Sequence, residues 1–418
     1  MDARTHAMAD TSELLALAGR HMLKTYKQPA LVITRGEGCR LWDTDGRAYL
    51  DLYAGIAVCA LGHAHPALVK AISAQAARLV HIANYYYNDR QIELAAELCA
   101  RSGLDRVFFC NSGAEANEGA LKLARRYHYG RGEADRLHVV ATWNSFHGRT
   151  HNALMATGQR KYWEGFGNPN PTVSHVNYGD LEALMRRVND HTAAVIIEPV
   201  QGEGGVLPAP EGYLRGIREL CDRTGALMIV DEIQTGVGRT GKFLAVQHEG
   251  ITPDVATIAK GTGGGVPIGA FLVREKFADA LPPGTHGSTF GGNPLATAAA
   301  LAVLHTFDAE NVLENVDTQG RYLLDGLRGL VKKHPEVATG ARGKGLLCGL
   351  ILADGVDARG VLNGMRERGV LISQAGEKVL RFAPPLIIKR EELDEGLAAL
   401  DGVLANAPRL APAAGATR

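Results

Sequence analysis

The sequence predicts an α/β protein: a large domain built on a mostly parallel sheet covered by helices on both faces, with a smaller α+β domain after it. Two observations carry this. Short continuous apolar runs at 107–109, 138–141, 193–197, 226–230, 255–258 and 268–273 alternate with helical stretches such as 116–127, 180–188 and 213–223. Strands buried on both faces read in this way. Beyond about residue 310 the pattern changes. A helix runs to Lys333, strand-like runs follow at 346–351, 370–373 and 379–382, and helices are expected at 360–368 and 391–405.

Before the first buried strand, residues 11–22 predict a short helix. Residues 31–33, 40–42 and 48–50 predict strands, with turns at 35–38 and at Asp45-Gly46, a dipeptide that favours hairpins. Gly62-His63-Ala64-His65-Pro66 opens a helix reaching about Val80, and Tyr85-Tyr86-Tyr87 falls in a loop whose default role is packing. The division expected is an N-terminal segment (1–65) packing with the small domain, a large domain (66–310), a small domain (311–407) and a frayed tail (408–418).

The chain has 418 residues, 45 basic and 45 acidic, so no charge excess points to nucleic acid or an anionic membrane. No apolar stretch is long enough to span a bilayer, and Met1–His6 begins no signal peptide. The six cysteines are scattered without a CxxC pair, which argues against zinc ribbons and disulfide frameworks and fits a reducing cytoplasm. His63 and His65 have no local carboxylate or cysteine to join them as metal ligands, so no metal is expected.

The candidate site residues stand where strands end, which is where ligands of open α/β sheets gather. Lys260 follows the 255–258 run and precedes Gly261-Thr262-Gly263-Gly264-Gly265. It is either a surface lysine or a partly desolvated amine able to form a Schiff base with a carbonyl. Ser112-Gly113-Ala114 lies between a strand and a helix. Free backbone N–H groups there suit an anion, although Ser112-x-x-Glu115 also reads as a plain capping box. Asp231 and Glu232 end the 226–230 run, with Gln234 close by. Gly236–Phe243 matches GxGxxG and nearly matches a P-loop. Phe243 stands where magnesium binding needs Ser or Thr, and the acids just before it would repel a pyrophosphate.

Six ordered motifs spread over the chain resemble those of the class III, pyridoxal-phosphate-dependent aminotransferases. They are 111–118 (NSGAEANE), 146–150 (FHGRT), 198–203 (EPVQGE), 231–236 (DEIQTG), Lys260-Gly261 and 287–294 (GSTFGGNP). Residues 54–58, 60–66 and 342–347 look most like the branch that acts on N-acetylornithine. The resemblance implies fold type I, with a seven-stranded sheet in the large domain. It also implies that Lys260 is the Schiff-base lysine and proton carrier and that Asp231 pairs with the protonated pyridine nitrogen. Gln234 would bond the ring oxygen, Phe146 would stack on the ring, and Ser112, Gly113 and Ala114 would hold the phosphate. Thr289 would reach the phosphate from the other subunit of a homodimer with shared sites. Arg149 is implied to meet the substrate's remote carboxylate, and Ser288 is implied to bind substrate. Arg381 is implied to meet the carboxylate on glutamate's reacting carbon, with Glu203 as its switchable partner. The substrates implied are small molecules, an acylated ornithine and 2-oxoglutarate. Other ω-amine donors (succinylated ornithine or diaminopimelate, ornithine, 4-aminobutyrate), a racemase or aminomutase, and a non-catalytic relative remain alternatives. Thr262 and Cys59 depart from the family pattern and receive no role.

Overall fold

The computed structural model describes residues 10–167 and 170–410. Its largest sheet has seven strands, in the spatial order Arg106–Cys110, Gly269–Val273, Val255–Ile258, Leu227–Asp231, Thr192–Ile197, His138–Thr142 and Val173–Val176. Five neighbouring strands, from Val255–Ile258 to Val173–Val176, run parallel. Gly269–Val273 is antiparallel to both of its neighbours. The expectation of a mostly parallel α/β sheet is met. The central strands are buried throughout because helices cover both faces: every residue of Thr192–Ile197 and Leu227–Asp231 is buried, and the polar Thr192 and Asp231 stand at strand ends.

The described C-terminal part forms a second sheet, in the order Ala338–Lys344, Leu347–Leu352, Val379–Phe382, Ser373–Ala375, packed by the helices Val312–Lys333, Ala358–Glu367 and Arg390–Leu404. Near the N-terminus, Ile33–Glu37, Arg40–Asp43 and Ala48–Asp51 make a third sheet. Its fourth strand, Val370–Leu371, comes from far along the chain and pairs in parallel with Leu50 and Asp51. The expected single run 370–373 is therefore two strands serving different sheets, because Ser373–Ala375 turns away to pair with Val379–Arg381.

Several boundaries move, each for a local reason. The first strand is Ile33–Glu37, not 31–33, and the reversal comes after it, because Gly38 carries the left-handed φ of +54°. Arg35 stays in the strand, stacked 3.7 Å above the Trp42 ring. The helix from Pro66 stops at Ala76 rather than near Val80, where Gln75 Nε2 donates to the Leu79 carbonyl at 2.8 Å. The expected 116–127 helix begins at Gly113 and ends at Gly130, since Ser112 caps it and the predicted turn residues form its first turn. The helix Pro294–Ala309 was not legible as one: it is buried on nearly every side, so its sequence has no polar face to set a period. The tail is not frayed from Pro408. The Asp357 amide donates to the Pro408 carbonyl and the Leu410 amide to the Gly355 carbonyl, each at 2.8 Å. Residues 411–418, like Met1–His6, lie outside the described residues. No described helix is long and apolar enough to cross a membrane.

Candidate active site

The carboxyl ends of the central strands surround a cavity of ≈ 380 Å³, the size range of small-molecule and cofactor sites. Lys260, Asp231, Gln234, Glu203, Phe146, Arg149, Ser112, Gly113 and Ala114 all line it. Sequence positions more than a hundred residues apart thus meet at one place.

Lys260 leaves its strand on a short 3-10 turn with φ +41°, a conformation that costs an L-residue roughly 1–2 kcal/mol. Such a cost persists where surrounding packing fixes the chain, and it aims the side chain inward. Burial lowers the Lys260 pKa below the ordinary lysine value. Glu203 and Asp231 oppose this, and Arg381 adds to it. The amine is therefore easier to deprotonate than a surface lysine, which fits the desolvated-amine reading.

Asp231 ends its strand with only 3% of its surface exposed. Its Oδ2 accepts from Asn117 Nδ2 and from His147 Nδ1, both at 2.7 Å, and Oδ1 accepts the Ile233 amide at 3.0 Å. Asn117 is itself fixed: it donates to the His147 carbonyl at 2.7 Å and accepts from Thr257 Oγ1 at 2.8 Å. Neither Asn117 nor His147 had been singled out from the sequence. The signal available was a polar residue on the buried stripe of the Gly113–Gly130 helix, since a buried amide needs partners.

Bonded to the wall residues Glu203 and Gln234 but not itself lining the cavity, Arg381 donates from Nη1 to Glu203 Oε1 and, at 3.3 Å, to Gln234 Oε1, and from Nε to Ser373 Oγ at 3.1 Å. Burial pushes the Glu203 carboxyl up, but Arg381 and then Lys260 overcome it and hold its pKa below the usual range. Arg149 is different. It lies exposed at the cavity wall, 4.1 Å over the Tyr162 ring and 5.5 Å from Phe146, and ion-pairs with no described residue. One cation is thus tied and one is available.

At the helix start, Ser112 Oγ accepts the Glu115 amide at 3.2 Å, but Glu115 returns its carboxylate to the Asn111 amide, at 2.5 Å. The expected reciprocal box is therefore shifted by one residue. The Gly113 and Ala114 amides, first in the helix, have no intrahelical partner. Gly148, at φ +137°, packs so closely that a Cβ there would stand 2.7 Å from the Ala114 Cβ. Ser288 and Thr289 do not line the cavity. Ser288 Oγ accepts from Asn111 at 3.3 Å, at the cavity's edge, and Thr289 is exposed. Thr262, buried, donates to the Ala259 carbonyl at 2.7 Å and so braces the turn carrying Lys260.

Residues 22–404 match the family model "Aminotransferase class-III". The chain belongs to the class III aminotransferases. A Myxococcus xanthus protein named acetylornithine aminotransferase is 50% identical over 387 residues, 92% of this chain and 96% of its own. Among solved structures, the ornithine aminotransferase of Toxoplasma gondii superposes with a TM-score of 0.92 at 35% identity, covering 96% of each chain. The N-acetylornithine aminotransferase of Stenotrophomonas maltophilia gives 0.81 at 38% identity, over 94% of this chain and 98% of its own. A further structure of the T. gondii enzyme has pyridoxal phosphate at partial occupancy in its active site.

The cofactor of this aminotransferase is pyridoxal 5′-phosphate, and the cavity fits it. Unsatisfied helix-start amides beside the close Gly148–Ala114 approach suit a phosphate. A buried, hydrogen-bonded aspartate suits a protonated ring nitrogen, and a lysine of lowered pKa suits an aldehyde. The described residues thus offer a partner for each reactive end of the molecule.

Proposed function

We propose that this aminotransferase carries the terminal amine of N2-acetylornithine to 2-oxoglutarate, yielding N-acetylglutamate 5-semialdehyde and glutamate, a step of arginine synthesis in the cytoplasm. The observation that carries the reading is the pairing state of the two arginines. Arg149 stands unpaired while Arg381 is held by Glu203. N-acetylornithine has no carboxylate on its reacting carbon and one farther away, so it needs one free cation. Glutamate has both and needs two. A tied second arginine suits a site that alternates between these donors. The 50% identity to a protein of the acetylornithine name supports the same choice.

When bound, pyridoxal phosphate supplies an aldehyde and an electron-withdrawing ring. The chain's own residues do the rest. Gly113 and Ala114, with Ser112, would hold the phosphate, and Phe146 would lie against the ring. Gln234 would donate to the ring oxygen. Asp231, kept an acceptor by Asn117 and His147, would hold the ring nitrogen's positive charge in place. Lys260 Nζ would hold the aldehyde. Displaced by the substrate amine, it would carry a proton from one carbon to the other, a role typically worth ~10²–10⁴-fold. Arg149, with Ser288 at the cavity edge, would grip the remote carboxylate.

The assembly proposed is a homodimer in which Thr289 reaches the phosphate of the partner subunit's site. Tyr85, Tyr86, Tyr87 and Phe290 stand 93%, 69%, 90% and 58% exposed, Phe290 directly after Thr289. Large apolar residues exposed beside a site mark an interface. The domain division at 66–310 and 311–407 belongs to the same proposal. Mixing inactive Lys260→Ala protomers with inactive Thr289→Glu protomers should restore activity, and no restoration would dismiss the shared site.

The deciding experiment offers acetylornithine, ornithine and 4-aminobutyrate separately to the loaded enzyme and follows the cofactor's visible band. Acetylornithine should react with the highest efficiency. A clear preference for ornithine would overturn the reading. Ile56, an aliphatic side chain, offers no acceptor for ornithine's free α-amine.

A further inference from the structure

Glu198 follows the fully buried Thr192–Ile197 strand. Its backbone is pinned, since Tyr178 Oη donates to its carbonyl at 2.8 Å and to that of Pro199 at 3.1 Å. Only 6% of the residue is exposed, and it lines the cavity beside Lys260 and Asp231. Oε2 accepts the Phe146 amide at 3.3 Å. Oε1 is bonded to no described residue and, on a side chain that lines the cavity, is left for whatever fills it.

We propose that Glu198 serves the transamination site as an uncharged carboxylic acid, its carbonyl oxygen held by the Phe146 amide and its O–H donated to an anionic oxygen of the cavity's occupant. The inference rests on the transaminase reading of the site and deepens it. The charge balance of the walls favours the neutral form. Asp231 faces Glu198 from the next strand, and Glu203 from the loop beyond Pro199. Lys260 comes from the 3-10 turn, Arg381 is committed to Glu203, and His147 bonds Asp231. Arg149, the wall's unpaired cation, stands over Phe146 and Tyr162, so a charged Glu198 would share only Lys260 with Asp231 and Glu203 and would repel a phosphate or a substrate carboxylate. Burial and then Asp231 push the Glu198 pKa well above the ordinary value, against the Phe146 amide and Lys260. A neutral carboxyl resolves this: it has one acceptor, which Phe146 uses, and one donor, which faces the cavity.

The test compares Glu198→Ala and Glu198→Gln with the parent enzyme. In the cofactor-free protein at neutral pH, infrared spectra should contain a protonated-carboxyl band that Glu198→Gln removes and Glu232→Gln leaves. Alanine should lower kcat/KM by about 10- to 100-fold. Glutamine, which keeps a donor and an acceptor, should recover most of that loss. The parent's activity should fall at alkaline pH as Glu198 ionises, and this limb should vanish with glutamine. If the acceptor is the cofactor's ring oxygen, Glu198→Ala also shifts the pH titration of the visible band without substrate. If it is the substrate's carboxylate, the loss falls on KM and that titration stays put. A parent enzyme that transaminates, with no band assignable to Glu198 or with glutamine no better than alanine, overturns the proposal and leaves the transaminase reading intact. A parent that binds no pyridoxal phosphate overturns both.

Discussion

Glu203→Ala isolates the step on which donor choice depends. In the parent protein a donor with a carboxylate on its reacting carbon must draw Arg381 away from Glu203, whereas a donor without one leaves the pair closed. Truncation removes that opening cost for glutamate alone. Arg381 is 2% exposed and keeps two neutral partners, Ser373 Oγ at 3.1 Å and Gln234 Oε1 at 3.3 Å. The Glu203 side chain is 22% exposed. A hydrogen bond to a charged group is worth about 1.5–3 kcal/mol, and breaking a fully buried ion pair about 3–5. The partial exposure of Glu203 and the two remaining partners place this case near the lower figure, about 2 kcal/mol, or roughly 30-fold. The assay is a single-turnover half-reaction with each donor, read from the cofactor's visible band. The ratio of efficiencies, glutamate over acetylornithine, should rise by that factor. Glu203→Gln, which keeps a hydrogen bond without the charge, should fall between. A ratio changed by less than about threefold, comparable with ordinary non-additivity, would show that the pair is structural and that donor choice is made elsewhere.

Other perturbations reach the scaffold behind the site. Asn117→Ala strips Asp231, Thr257 and the His147 carbonyl of a partner in a fully buried place. It should cost about 2–4 kcal/mol in a denaturant titration and lower kcat by at least tenfold. Glu232→Gln should change the pH dependence of stability. Burial raises this carboxyl from 4.5 to about 7, against Thr235 and the Val246 and Ala245 amides. The folded state then keeps a proton that the unfolded chain has released, so stability falls as pH rises from about 4.5 to about 7, by about 3 kcal/mol in all. The glutamine variant should lose that slope in urea midpoints taken across the window, and an unchanged slope would assign it to another group. Gly148→Ala, at φ +137° and 2.7 Å from Ala114, should weaken pyridoxal phosphate binding at least tenfold in an equilibrium titration while far-UV circular dichroism stays the same.

The seven-stranded sheet was legible because its strands are apolar on both faces and end abruptly in polar or glycine residues. That ending is also why Lys260, Asp231 and the Ser112–Ala114 turn stood out: a strand's last residue belongs to the cavity by topology alone. The N-terminal sheet was less legible. One of its three strand pairings comes from Val370–Leu371, and no local pattern announces a partner three hundred residues away. The pairing of Glu203 with Arg381 was readable only through resemblance, since it joins a loop to a strand of another sheet.

Asn117 is the instructive omission. The Gly113–Gly130 helix buries Ala116, Gly119, Ala120, Leu121, Leu123 and Ala124 against the sheet, and Asn117 sits on the same stripe. Read for periodicity, one polar residue in such a stripe is noise. Read for hydrogen-bond accounting, it is a demand. An amide carries two donors and an acceptor into a place that water does not reach, and something must answer each. Three groups do: the Asp231 carboxylate, the His147 carbonyl and the Thr257 hydroxyl. The helix that offers its N-terminus to an anion therefore also fixes, four residues on, the carboxylate facing the opposite end of the same cavity. Phosphate site and ring-nitrogen site are held at a set separation by one turn of helix. A substitution that loosens this helix should weaken cofactor binding and proton transfer together, whereas one that only alters Arg149 or Arg381 should change donor preference and leave the cofactor's titration as it was.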